Sequence, residues 1–243
     1  MVEPSARYEE VRIPLLEPVG ALTTVTGVLG IPEWWPTGSR VAIVLGHGSS
    51  GGLNDPLIEH LQRELTERKF MTLRFNFPFW EAHKAGKRST PDPMPVLERT
   101  FRSAIASVGR DPIATPAYLF LGGMGLGARV AAQLARSQAR LDGVFLMGLP
   151  LHSQDKPETA QPDYLYRIVA PMLFLQGTRD RRCQLDTLRR CLSRVGAPHA
   201  LHVAEGADQN FKVLKKANRT DEEVRAAMVS VIGSWIEKRL NEG

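Results

Sequence analysis

A glycine-rich turn between a predicted strand and a predicted helix is the stretch best suited to carry chemistry. It reads Leu121-Gly-Gly-Met-Gly-Leu-Gly-Ala-Arg129. The apolar residues 117–120 before it predict a buried strand, and residues 126–138, rich in Ala, Leu and Arg, predict a helix. Glycines this dense at such a corner indicate positive backbone φ or a close approach to another group. The turn therefore presents Gly125 at the end of a strand.

Other predicted strands also end in loops where glycine, histidine and charge concentrate. These loops follow Leu45, Asn76, Gly148, Gln176 and Ala204. The strands are short continuous apolar runs that alternate with helices, which favours a mostly parallel sheet covered on both faces. Ligands bind such sheets where loops leave the carboxyl ends of the strands. The sequence thus predicts an α/β fold, a three-layer sandwich around a doubly wound sheet, with its site at that edge.

The elements that position these loops follow from the apolar patterns. Residues 9–29 predict two antiparallel edge strands, and the closing helix begins with the capping box Thr220-Asp-Glu-Glu223. Its predicted apolar face consists of Val224, Met228, Val231, Trp235 and Ile236. The predicted central strands are 41–45, 70–76, 117–120, 143–147, 171–176 and 200–204, and further helices are predicted from 54 and over 96–108 and 185–195.

Two segments fall outside this alternation. Residues 79–95, polar and rich in proline, predict a long loop, and residues 153–168 predict a small, lid-like polar insertion. We expect residues 1–243 to form a single domain.

Composition excludes several classes of protein. No apolar run approaches the roughly 18 residues of a membrane span, and the polar N-terminus lacks a signal-peptide core. The two cysteines fit a reduced, cytoplasmic protein. The net charge of +5 is modest, and the one tight basic group, at 179–182, is a weak argument for nucleic acid. We therefore expect a cytoplasmic protein that binds neither nucleic acid nor membrane.

Six segments occur in the order of one enzyme superfamily. They are Gly46-His-Gly48, Arg74-Phe-Asn-Phe-Pro78, Leu121-Gly-Gly123 with Arg129, Pro150-Leu-His152 with Lys156-Pro157, Gly177-Thr-Arg-Asp180 and Gly206 to Lys212. Together they resemble the α/β-hydrolase superfamily, in particular its small, dienelactone-hydrolase-like bacterial members known only as predicted hydrolases. The resemblance runs from about Val41 to Trp235 and implies the α/β-hydrolase fold.

The resemblance also implies a catalytic triad, of which this chain keeps one member. Asp180 matches the acid, Gly125 stands in the place of the serine in the G-x-S-x-G turn, and Gln209 stands in the place of the histidine. No histidine lies beyond His202, which falls inside the predicted last strand. Because the acid serves to orient and stabilise an imidazolium, it can do little alone. The resemblance therefore predicts a non-catalytic protein that binds a ligand or another protein.

The ligand pocket that this resemblance implies is a site for a small anionic or carbonyl-bearing compound. Its loop Gly46-His47-Gly48 resembles the oxyanion loop, whose N–H groups face a carbonyl or carboxylate. Further expected ligand contacts are Met124, Leu126 and His152. No cofactor is expected, and no cluster has the spacing of a metal site.

Other assignments of the same residues remain open. Gly123 to Ala128 also fits the dinucleotide pattern G-x-G-x-x-A, although no acidic residue ends the next predicted strand. Ser49 or Ser50 could replace the missing nucleophile, with only His47 nearby as a base. Cys183 is predicted to be a buried packing residue, although its arginine neighbours could lower its pKa.

The alternative function is that of an enzyme with a non-serine mechanism. A hydrolase or lyase acting on a small carbonyl or ester substrate would use His47, His152 or Asp180 as acid or base.

Overall fold

The computed structural model describes residues 6–86, 90–110, 115–137 and 140–242. Eight strands form one sheet in the order β1-β2-β4-β3-β5-β6-β7-β8. The pairings of β1 with β2 and of β2 with β4 are antiparallel, whereas β3 with β4, β6 with β7 and β7 with β8 are parallel. The predicted fold class, an α/β fold with a mostly parallel sheet, is confirmed.

The chain divides into two compact units, residues 1–121 and 122–243. The elements of the first are β1 (Arg7–Val19), β2 (Leu22–Ile31), β3 (Val41–Gly46), α1 (Pro56–Glu67), β4 (Met71–Phe75), α2 (Pro78–Lys84) and α3 (Met94–Val108). Every residue of β3 and β4 is buried, as the apolar runs predicted. Helix α1 begins where the Asp55 carboxylate accepts the backbone N–H groups of Leu57 and Ile58, with Pro56 in the first turn.

The strand β5 (Tyr118–Met124) leads into the second unit. Its further elements are α4 (Leu126–Ala135), β6 (Gly143–Met147), β7 (Met172–Gly177), α5 (Leu185–Leu192), β8 (His199–Ala204) and α6 (Asp221–Glu242). The strands β6 and β7 are buried throughout, because each is a continuous apolar run with helices packed against the sheet. Their carboxyl ends therefore lie side by side with that of β8.

The closing helix begins as predicted but buries a different stripe. The Thr220 hydroxyl accepts the N–H of Glu223 at 3.2 Å, and the Glu223 carboxylate accepts the N–H of Thr220 at 2.7 Å, which completes the capping box. Val231 and Trp235, predicted for the apolar face, are only half-buried. Val229 and Ile232 are buried instead, beside the correctly predicted Val224, Met228 and Ile236.

Other segments also differ from the prediction, among them β5, which ends at Met124 rather than 120. The segment predicted as a loop over 79–95 contains most of α2, which begins at Pro78. Its last residues belong to α3, which begins at Met94. Residues 87–89 of the predicted loop lie outside the described residues. Helix α5 ends at Leu192 rather than 195. The insertion segment, residues 153–168, contains 3₁₀ turns at Pro157–Thr159 and Leu165–Arg167.

Candidate functional site

The turn between β5 and α4, which we call the elbow, holds Gly125 in a strained backbone conformation. Gly125 has φ 54° and ψ −112°, outside the regions open to residues with a side chain. Its N–H donates to the Met147 carbonyl at 2.9 Å, and its own carbonyl accepts the N–H of Arg129 at 3.1 Å. The corner is thus fixed between the end of β6 and the first turn of α4.

The neighbouring glycines of the elbow are required by close packing. A Cβ on Gly123 would lie 2.3 Å from the carbonyl carbon of Gly127, and one on Gly122 would lie 2.2 Å from the Phe145 ring. Met124 is buried at the end of β5, and Leu126 is half-buried at the start of α4. No side chain among the described residues caps α4, which leaves its first N–H groups to another acceptor.

Asp180 is buried in the turn after β7, and its carboxylate is fully engaged by donors from its own neighbourhood. One oxygen accepts from the Gln176 side chain at 2.6 Å, and the other accepts the N–H of Arg182 at 2.7 Å. Burial raises the pKa of Asp180, while those hydrogen bonds favour the ionised form. Within the described parts of the chain, no histidine is hydrogen-bonded to this carboxylate.

Gln209 lies in the loop after β8, and that loop packs closely on the ends of β6 and β7. A Cβ on Gly148 would lie 2.7 Å from the Gln209 carbonyl, and one on Gly177 would lie 2.3 Å from that of Ala207. The loop is held by the Asp208 carboxylate, which accepts the N–H groups of Asn210 and Lys212. Within the second unit, Gly125, Asp180 and Gln209 therefore follow the carboxyl ends of β5, β7 and β8.

His152 is near Asp180 but both of its ring nitrogens are occupied. Nδ1 lies 2.7 Å from the Ser153 carbonyl, and Nε2 accepts the N–H of Gln184 at 3.0 Å. The ring is therefore the neutral Nδ1–H tautomer and ties the loop after β6 to the start of α5. The Arg182 carbonyl strengthens this connection, since it accepts the N–H groups of Leu151 and His152.

In the first unit, His47 has the same arrangement. Nδ1 lies 2.6 Å from the Gly48 carbonyl, and Nε2 accepts the N–H of Phe77 at 3.0 Å. Burial lowers the pKa of His47 to about 4, so the ring is neutral at pH 7. Gly46 and Gly48 are buried, whereas Ser49 and Ser50 are exposed and have no free imidazole in His47 to act as their base.

Comparison with known families identifies this framework. Residues 39–237 match the model of a family described as an alpha/beta hydrolase domain. The chain belongs to the α/β-hydrolase domain family. The predicted resemblance to dienelactone-hydrolase-like members is thereby confirmed at the level of the superfamily and its structural neighbours.

Three solved structures show how far the α/β-hydrolase fold is shared. The dienelactone hydrolase from Anabaena variabilis is 16% identical with a TM-score of 0.73, over 96% of this chain and 98% of that one. An α/β serine hydrolase homologue from Coxiella burnetii is 16% identical with a TM-score of 0.68, over 93% and 96%. An α/β serine hydrolase without a lid from Xanthomonas campestris is 17% identical with a TM-score of 0.67, over 93% and 95%. At these identities the likeness shows the fold alone.

Two further candidates of this α/β-hydrolase domain are Cys183 and His202. Cys183 is fully buried, and burial raises the pKa of its thiol, as expected of the packing residue that was predicted. His202 lies within β8, where the sequence placed it. Among the described residues no group of His, Cys, Asp or Glu could hold a metal ion, and none of the described helices is long and apolar enough to cross a membrane.

Sequence reasoning missed the part played by Gln176. A glutamine that ends an otherwise apolar, fully buried strand needs a partner for its amide, and the acid four residues later is within reach. That requirement is the signal that could have identified it.

Proposed function

We propose that this α/β-hydrolase-fold protein is non-catalytic and binds a small ligand or a protein partner. The observation that supports the proposal is the elbow, where Gly125, which the resemblance matches to the family's nucleophile, has φ 54° and ψ −112°. A glycine there has no oxygen to acylate. The acid can orient an imidazolium only where an imidazole faces it, and Asp180 faces Gln176 and Arg182 instead.

The occupied rings of His47 and His152 support the same proposal. A general base must have a nitrogen free to reach the proton that it removes. Each of these rings donates through Nδ1 to the following residue's carbonyl and accepts a backbone N–H through Nε2. The third group considered for a non-serine mechanism is the Asp180 carboxylate, and each of its two oxygens already accepts a hydrogen bond.

The ligand that we propose is a small compound with a carboxylate or a polarised carbonyl. The uncapped N-terminus of α4, at Leu126, supports this chemistry because unpaired N–H groups and the helix dipole favour negative charge. In the first unit, the buried loop Gly46 to Gly48 is a separate candidate for such oxygens, because the resemblance matches it to the oxyanion loop.

Activity-based labelling tests the non-catalytic proposal. We expect no covalent labelling by a fluorophosphonate probe and no hydrolysis of activated short esters above background. Labelling at Ser49, Ser50 or Cys183 would overturn the proposal and establish a displaced nucleophile. Ester hydrolysis that survives Asp180→Asn would establish chemistry elsewhere in the chain.

Thermal stabilisation by a panel of carboxylates and esters tests the ligand class. Leu126→Asp places a fixed carboxylate in the first turn of α4, and Leu126→Asn is its matched neutral control. For a carboxylate ligand we expect the apparent Kd to weaken by about tenfold in the first variant and little in the second, since about 1.4 kcal/mol of electrostatic competition corresponds to that factor. Equal binding by both variants would contradict a site at this helix.

A further inference from the structure

The excess positive charge of the chain belongs to its second unit. Residues 1–121 contain thirteen basic and thirteen acidic residues, which leaves eighteen basic and thirteen acidic residues, the whole net charge of +5, to residues 122–243. Residues 179–194 concentrate this charge, with six arginines and two acids. All six arginines are exposed, whereas one of the acids, Asp180, is buried. This segment therefore presents an excess of arginine to solvent.

Helix α5 directs three of these arginines away from the core. Its buried face consists of Thr187, Leu188, Cys191 and Leu192. Arg189 and Arg190 lie on the opposite face, and Arg194 follows two residues after the helix ends. Arg189 pairs with the exposed Asp186 at 3.6 Å, a contact of little strength at such exposure. Neither Arg190 nor Arg194 forms a salt bridge with any of the described residues, so two guanidinium groups face solvent without an acid.

An aromatic ring and an exposed apolar side chain accompany these arginines. The guanidinium carbon of Arg194 lies 5.0 Å from the centroid of the Tyr166 ring, a cation–π contact that restricts the arginine side chain. Tyr166 lies in the second 3₁₀ turn of the insertion segment, and Val169, three residues later, is 84% exposed. Three residues span at most about 11 Å, so Val169 borders the same surface. We define the α5 surface as Arg189, Arg190, Arg194, Tyr166 and Val169.

We propose that the α5 surface binds an acidic segment of a protein partner that carries an apolar side chain. Guanidinium groups bind carboxylates through paired hydrogen bonds, and arginine and tyrosine are enriched where protein interfaces gain most of their binding energy. Nucleic acid fits less well, because its affinity comes from many contacts along a phosphate backbone, whereas α5 has eight residues and is about 12 Å long. This assignment rests on the part of the proposed function that names a protein partner.

Fluorescence anisotropy of a labelled acidic peptide, with glutamates on both sides of one leucine, tests the α5 surface. We expect saturable binding by the wild type and no measurable binding of the glutamine analogue. Arg190→Glu with Arg194→Glu should weaken the apparent Kd by at least about tenfold, because both guanidinium groups become repulsive carboxylates. The matched control is Lys215→Glu with Lys216→Glu, which changes the net charge equally at exposed lysines in the loop after β8. This control should change the Kd by less than about twofold, because salt screens charges that do not contact the peptide.

Two further variants separate charge, packing and folding. Val169→Ser should weaken binding of the leucine peptide about threefold and leave that of an all-glutamate peptide unchanged. If the charge reversal on α5 lowers Tm, Arg190→Gln with Arg194→Gln should still show most of the loss of affinity. Equal losses in the two charge-reversed variants, no binding by the wild type, or tighter binding of an oligonucleotide of equal charge would overturn the proposal. Fluorophosphonate labelling with an intact peptide response would instead overturn only the non-catalytic proposal.

Discussion

Replacing Gly125 by serine tests whether the elbow has a backbone conformation that strains any residue with a side chain. At φ 54° and ψ −112° the residue lies outside all three regions that L-residues occupy. Glycine tolerates this backbone without cost from a Cβ, but serine does not. The elbow cannot relax easily, because hydrogen bonds to Met147 and Arg129 fix the backbone on both sides. We therefore expect Gly125→Ser to fold but to be destabilised.

The magnitude follows from the cost of a side chain in such a conformation, about 1–3 kcal/mol. For 243 residues the entropy of unfolding is about 0.5 kcal/mol/K, so a loss of about 2 kcal/mol lowers Tm by about 4 °C. Two glycines of the same unit provide matched controls with open space around them. Gly206→Ser, at φ 73°, adds a side chain at positive φ and should cost about 1 kcal/mol. Gly196→Ser, without positive φ, should cost less than about 0.5 kcal/mol.

Denaturant unfolding of the three variants measures these differences directly, and ester hydrolysis is assayed in parallel. Gly125→Ser should show no burst with an activated ester, because a serine without a base is a poor nucleophile. A Gly125→Ser protein as stable as Gly196→Ser would refute the argument from strain. Rapid acylation of Gly125→Ser alone would refute the claim that no imidazole is in reach.

Further predictions concern the rebuilt triad and two titrating groups. The double variant Gly125→Ser with Gln209→His should hydrolyse esters at least about 10²-fold faster than either single variant. Adding Gln176→Leu should increase the rate again, because it frees one oxygen of the Asp180 carboxylate. A folded triple variant with no gain in rate would show that Gln209 does not hold the histidine position. Burial lowers the pKa of His47 from 6.5 to about 4, so as pH falls the unfolded chain binds a proton before the folded protein does. The free energy of unfolding should therefore decrease by about 3 kcal/mol, relative to that of His47→Gln, between pH 6.5 and pH 4. Denaturant titrations at each pH measure this difference. Burial raises the pKa of Asp180 above its usual 3.8, so protonation of this carboxyl favours the folded state. The free energy of unfolding of the wild type should therefore fall relative to that of Asp180→Asn as pH rises through the folded pKa, although the hydrogen bonds to Gln176 and Arg182 remain; a difference independent of pH would contradict the raised pKa.

The fold was predictable because its signals are local and mutually consistent. The buried strands β3, β6 and β7 are continuous apolar runs, and the capping box at Thr220 needs only four residues to form. The helix α2 was missed because it has only seven residues, too few to show a helical apolar period, and because a polar, proline-rich stretch follows it. The buried stripe of α6 was partly wrong because apolar residues occur on more than one side of that helix, so tertiary packing selects among them.

The placement of Gly125 and Asp180 after two strands was predictable, but the hydrogen-bond partners of the nearby side chains were not. A glycine at the elbow and an acid after β7 follow from the motif alone. The Nε2 atoms of His47 and His152 accept hydrogen bonds from backbone N–H groups 30 and 32 residues away in sequence, and no local pattern encodes such contacts. A histidine that looks available in the sequence is therefore a neutral structural acceptor in the fold.

The retention of Asp180 is explained by the same contacts, without catalysis. Its carboxylate accepts the N–H of Arg182, whose carbonyl in turn accepts the N–H groups of Leu151 and His152, so the acid organises the turn that joins the ends of β6 and β7. The side-chain amide of Gln176 donates to the second carboxylate oxygen of Asp180, which would otherwise be buried without this hydrogen bond. Removing the acid would leave the buried Gln176 amide without this acceptor, which costs about 1–3 kcal/mol, and would release the partly buried N–H of Arg182. An acid at this position can thus stabilise the fold through its hydrogen bonds without taking part in a reaction.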